Sequence, residues 1–168
     1  GSMGALHKEA FSEIGGFIRR CADALHASVS ILKDPPNPII SKIERNCLKS
    51  QNKQLIDQAG QSFGRWWMFD ISEKFLRASE KLDPRSPNTL MSLAVTYHLS
   101  RKPKHAIDIL KRYLDLDPSN QQALRLSIQN AGIVRDRAFA DKALDLMERH
   151  NPSALPLANS YIEKAFSD

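Results

Sequence analysis

The chain has 168 residues, 42% hydrophobic and 26% charged, enough for one domain to bury a core without disulfide or metal staples. A net charge of +5 and a pI near 9.3 allow an acidic partner without requiring one. No run approaches the ~20 apolar residues of a membrane span, no secretory leader is read, and two cysteines are too few for a disulfide framework.

Taken in order, Gly1 to Met3 is set aside as an expression-tag remnant. From Ala5 to about Leu32 the apolar residues recur in steps of three and four, which predicts a helix that Gly15-Gly16 weakens. Asp34-Pro35-Pro36-Asn37-Pro38 breaks it, and Ile39, Ile40, Ile43, Cys47 and Leu48 predict a second, shorter helix. Residues 4–52 therefore read as a helical hairpin packing on the remainder of the chain. Cys21 and Cys47 fall on its apolar positions and read as small buried hydrophobes, which fits a reducing, cytoplasmic setting.

Beyond residue 52 the chain repeats. Pro84, Pro118 and Pro152 lie 34 residues apart, and so do Ala106 and Ala140, Leu90 and Leu124, and Leu110 and Leu144. A fixed period of this length marks a repeat architecture. With the prolines at position 32, the units are 53–86, 87–120 and 121–154, with a closing helix over 155–168. The middle unit carries Leu90, Leu93, Ala94, Tyr97, Ala106 and Leu110 at positions 4, 7, 8, 11, 20 and 24. The first offers Ile56, Gly60, Phe63, Ser72, Leu76 and Ser79 (position 27), and the third Leu124, Ala140 and Leu144, with Ser127, Ile128 and Ala131 as departures. Small residues at positions 8 and 20 let two helices approach, and large ones elsewhere fill the space between units.

This register resembles the tetratricopeptide repeat over about two thirds of the chain. The resemblance implies an all-α fold, a right-handed superhelical stack of antiparallel helix pairs, capped by the N-terminal hairpin and the closing helix. It also implies that the functional surface is a concave groove lined by positions 2, 5, 9 and 12. In the first unit these are Gln54, Asp57, Gln61 and Gly64. In the second they are Asn88, Met91, Val95 and His98, and in the third Gln122, Arg125, Gln129 and Gly132. Amides can satisfy a peptide backbone in any direction, and a methionine adapts to an apolar anchor. The expectation is a non-catalytic scaffold docking a peptide or protein segment. The family's carboxylate-clamp members use cations and asparagines where this chain has Asp57, Gln61, Ser92, Gln122 and Leu126, so that version is excluded.

A second surface arises from the turns between paired helices. Position 15 holds Trp67, Arg101 and Arg135, flanked by Arg65, Lys102, Lys104, His105 and Arg137 and diluted by Asp136 and Asp141. Cations interleaved with aromatics could hold single-stranded nucleic acid. The family usually has Gly or Asn at position 15, where φ is positive, so Trp67 predicts a turn of different geometry. One of Trp66 and Trp67 is expected to bury against the N-terminal helices. The five histidines show no metal-ligand spacing, no phosphate loop or nucleophile motif is present, and no cofactor is expected. Three alternatives remain beside the peptide scaffold: a helical-repeat RNA binder, a type III secretion chaperone (typically acidic, unlike this chain), and an accessory domain of an enzyme such as a glycosyltransferase. The degraded third unit also leaves apolar surface that a second copy, in a homodimer, could cover.

Overall fold

Residues 52, 86 and 120 begin three helices in one way. The Asn52 side chain accepts a hydrogen bond from the Leu55 amide at 3.1 Å, Ser86 from Thr89 at 3.5 Å and Asn120 from Ala123 at 2.9 Å. Each satisfies an amide that a helix start leaves unpaired. The computed structural model describes residues 38–167, so the expected helix over 5–32, with Cys21, lies outside the described residues. Among the described residues every regular element is helical. The chain divides after Asp83 into two compact units. The first holds α1 (Pro38–Lys49), α2 (Lys53–Arg65) and α3 (Phe69–Leu82). The second holds α4 (Pro87–Leu99), α5 (Pro103–Leu116), α6 (Gln121–Val134), α7 (Arg137–His150), a short 3-10 turn (Pro152–Ala154) and α8 (Leu155–Phe166).

Helix ends repeat as faithfully as helix starts. The Met68, Lys102 and Asp136 amides donate to the Phe63, Tyr97 and Ala131 carbonyls at 3.0, 2.8 and 2.9 Å. One residue earlier, the Trp67, Arg101 and Arg135 amides donate to Gly64, His98 and Gly132 at 3.0, 3.2 and 3.3 Å. This paired closure requires a left-handed residue after the helix. Trp67, Arg101 and Arg135 supply it, with φ of 61°, 61° and 60°. The expectation that Trp67 changes the turn is therefore corrected: the backbone hydrogen bonds hold the tryptophan in the same conformation as the two arginines. That conformation costs an L-residue about 1–2 kcal/mol, and glycine is its usual occupant.

In the first unit, Ile43 and Cys47 of α1 join Leu55, Ile56, Ala59, Phe63, Met68 and Phe75 in one buried cluster. The Phe63 and Phe75 rings stack at 5.5 Å. Helices α2 and α3 meet closely where the Ser72 hydroxyl donates to the Gly60 carbonyl at 2.6 Å. Lys74 of α3 pairs with Glu44 of α1. Trp66 is half-buried beside the cluster that holds Ile43 and Cys47, which meets in part the expectation of a tryptophan packed on the N-terminal region. Trp67 is 59% exposed, with its ring edge-on to Phe69 at 5.4 Å.

In the second unit, Leu90, Leu93, Ala94, Tyr97, Ala106 and Leu110 are all fully buried, as the register requires. The departures at Ser127, Ile128 and Ala131 are buried too, and Ser127 is satisfied by donating to the Ala123 carbonyl at 2.7 Å. Arg112 of α5 donates to the Pro84 carbonyl at 2.9 Å. Tyr113 of α5 is buried. Its phenol titrates above the ordinary value of 10.0, first because burial disfavours the phenolate and second because Asp117 repels it. Above about pH 10 the unfolded chain releases a proton that the fold retains, so this contribution is complete below that pH and is lost as pH rises toward the folded value. Thermal melts between about pH 9 and pH 11 should therefore fall less steeply for Tyr113→Phe than for wild type.

Candidate functional site

Short connections turn each helix of the second unit back on the one before it. Helices α4, α6 and α8 therefore run in the same direction, and α4 touches α6 while α8 touches both α6 and α7. Steps of three and four place Asn88, Met91 and Val95 on one face of α4 and Gln122, Arg125 and Gln129 on one face of α6. Asn88, Gln122 and Arg125 are exposed, and Met91, Val95 and Gln129 are half-buried. The sequence-predicted lining residues of this unit thus form an amide strip with an apolar patch and one cation.

Position 12 also makes contacts between helices. His98 reaches across to α6, where its Nδ1 lies 3.1 Å from the side-chain nitrogen of Asn130. Asn130 is 1% exposed and gives its other amide hydrogen to the Leu126 carbonyl at 2.7 Å. The same Nδ1 lies 3.4 Å from the Asn130 side-chain oxygen. His98, expected on the groove lining, is half-buried and also forms a contact between α4 and α6. Gly132 repeats the theme, because a Cβ there would stand 2.9 Å from Tyr161 Cε1 and 3.0 Å from Ala165 Cβ. The Tyr161 hydroxyl donates to the Gln129 carbonyl at 3.0 Å, so α8 lies directly over this end of α6.

Helix α8 itself continues the register. Ala158 and Ile162, 34 residues after Leu124 and Ile128, are buried, while Pro156, Asn159 and Glu163, 34 after Gln122, Arg125 and Gln129, are exposed. The strip extends over three helices, and the closing helix contributes to it. The sequence reading missed Asn159 and Glu163, although the same 34-residue step points to both.

In the first unit Gln54 is exposed and Gln61 half-buried, but Asp57 is 8% exposed. Its carboxylate accepts from Lys53 Nζ and from the Ser79 hydroxyl, both at 2.6 Å. Asp57, expected on the groove lining, is thus a buried contact between helices. The side chain turns toward α3, and with Ser79 it fastens α2 to that helix.

The turn residues divide between the units. Arg65 and Trp67 are exposed in the first, and Arg101, Lys104, His105, Arg135 and Arg137 are exposed in the second, with Lys102 half-buried. The Arg135 and Arg137 guanidinium groups lie over the Phe166 ring at 5.9 and 5.2 Å. The His105 ring lies 5.2 Å from that of Tyr97. Asp136 caps α7 by accepting from the Phe139 amide at 3.1 Å, and Asp141 pairs with Arg137 at 3.1 Å.

Among the described residues no group of three His, Cys, Asp or Glu side chains could hold a metal ion, and no helix is long and apolar enough to cross a membrane. No protein-family model matches the chain, and comparison with curated proteins finds no relative.

Proposed function

We propose that the chain is a non-catalytic protein–protein interaction scaffold of the tetratricopeptide kind, binding a peptide or protein segment along the strip of α4, α6 and α8. The observation that carries this reading is the 34-residue recurrence of side-chain cap and left-handed turn. Within the second unit, the contacts of α4 with α6 and of α6 with α8 support equivalent positions of these helices sharing one face. A right-handed superhelical stack is part of the same proposal. On the strip, Asn88, Gln122 and Asn159 are exposed amides that can pair with a peptide backbone running either way. Met91 and Val95 offer a half-buried apolar patch for an anchor side chain, and Arg125 adds a cation nearby. Such a strip suits an extended or helical peptide in a preformed groove.

The test is selection of binding peptides from a random library on the whole chain, then affinity measurements on those selected. Met91→Glu combined with Arg125→Glu should weaken the selected peptides at least ~10-fold, since it removes the apolar anchor and reverses the cation. Both side chains reach solvent, so the fold should survive. Unchanged affinity in a folded double variant would remove the strip from consideration.

A further inference from the structure

We propose that the second unit carries a separate surface for single-stranded nucleic acid at the end where α4, α6 and α8 terminate, built from Arg101, Lys104, His105, Arg135, Arg137 and Phe166. Placement comes first. His98 meets Asn130 within the last turn or so of α4 and α6, and Phe166, the last residue of α8, lies under Arg135 and Arg137. The ends of the three parallel helices therefore share one end of the unit, with the start of α5 beside them.

Backbone conformation points the same way. Arg101 and Arg135 occupy left-handed backbone at φ 61° and 60°, where glycine would close both turns without the steric cost. Large side chains in such positions point to a role other than folding. Charge agrees with this. Arg101, Lys102, Lys104, Arg135 and Arg137 stand against Asp136 and Asp141, and those two acids are engaged by the α7 amide and by Arg137.

Stacking selects the partner. Two exposed planar groups lie beside rings: the Arg137 guanidinium carbon is 5.2 Å from the centre of the Phe166 ring, and the His105 ring is 5.2 Å from that of Tyr97, tilted by 34°. A nucleobase can lie on the outer plane of such a group, and base stacking with cation–π support is how single strands are held without sequence preference. An acidic peptide engages a guanidinium along its edge and gains little from these planes.

The experiment is fluorescence anisotropy on the whole chain with labelled 12-nucleotide oligouridylate and oligothymidylate, and a polyglutamate of equal length as competitor. With a net excess of about three cations at this end, affinity should fall roughly 20-fold between 50 and 200 mM salt. Arg101→Gly with Arg135→Gly relieves both left-handed positions but loses the Arg135 contact with Phe166, so the variant should remain folded while weakening both oligonucleotides at least ~10-fold and flattening the salt dependence. A second variant, Lys104→Gln with Arg137→Gln, leaves both turns intact and should also lose binding. Met91→Glu with Arg125→Glu should bind oligonucleotide as wild type does, which keeps this surface distinct from the peptide strip. The proposal is overturned if neither oligonucleotide binds at 50 mM salt, if folded turn variants bind as wild type, or if polyglutamate competes equally well.

Discussion

Truncating Tyr97 to alanine is expected to cost about 3–5 kcal/mol, the largest single loss in the second unit. Its side chain, on the last turn of α4, is the largest of those fully buried among the described residues. Its ring also backs His105, and its carbonyl receives the Lys102 amide that closes the turn. A cavity there removes the transfer energy of the ring and leaves its neighbours without contacts. Domains of this size keep only about 5–15 kcal/mol in total, so the variant should be close to unfolding at ambient temperature. In urea the midpoint should drop sharply while the slope stays constant. The same register position is Ala131 in α6, fully buried and already small. Ala131→Tyr should destabilise by overpacking, about 1–3 kcal/mol, so exchanging the two residues is unfavourable at both sites. A loss below about 1 kcal/mol for Tyr97→Ala would mean that the site collapses around the missing ring, contrary to a close-packed interior.

How much of the fold and the strip was legible depends on which residues carry information in their chemistry alone. Apolar side chains spaced by 34 announced the core: Leu90, Leu124 and Leu110 are buried as read, while Leu144, the partner of Leu110, is half-buried. Asn52, Ser86 and Asn120 began their helices for a reason visible in the letters, since each has an acceptor suited to an N-cap. Polar residues inside a helix were harder. Asp57 reads as solvated until Ser79 is seen 2.6 Å away on the neighbouring helix, a pairing set by how α2 and α3 meet. The contact of His98 was hidden for the same reason, because only the approach of α4 to α6 brings Asn130 within reach. Trp67 misled in the opposite direction. Residue preference at a left-handed turn is worth about 1–2 kcal/mol, and the two backbone hydrogen bonds that close the turn offset it. Asn159 and Glu163 were left out of the lining because α8 was read as a closing helix instead of a further step of the register.

Gly60→Ala should destabilise the first unit by about 1–2 kcal/mol, although alanine is the better helix former by nearly 1 kcal/mol. Gly60 lies inside α2, and a Cβ there would stand 2.7 Å from Leu76 Cγ and 2.9 Å from its Cδ2. Leu76 is fully buried and cannot swing into solvent, and its own backbone nitrogen is 3.4 Å from the same point. The two helices must therefore separate. Separation strains the Ser72 hydrogen bond to the Gly60 carbonyl, and one turn away the bond between Ser79 and Asp57. The register places a small residue here, and glycine is the version that lets α3 seat a full leucine against α2. A double-mutant cycle separates this explanation from a general intolerance of α2 to change. Leu76→Ala alone should cost about 2–5 kcal/mol by opening a cavity. In that background the added methyl of Gly60→Ala points into the space left by the leucine, so the second substitution should be neutral or stabilising. The two changes should then couple favourably by at least ~1 kcal/mol. Simple additivity would show that the cost of Gly60→Ala does not come from Leu76, and the close approach of the two helices would no longer account for the glycine.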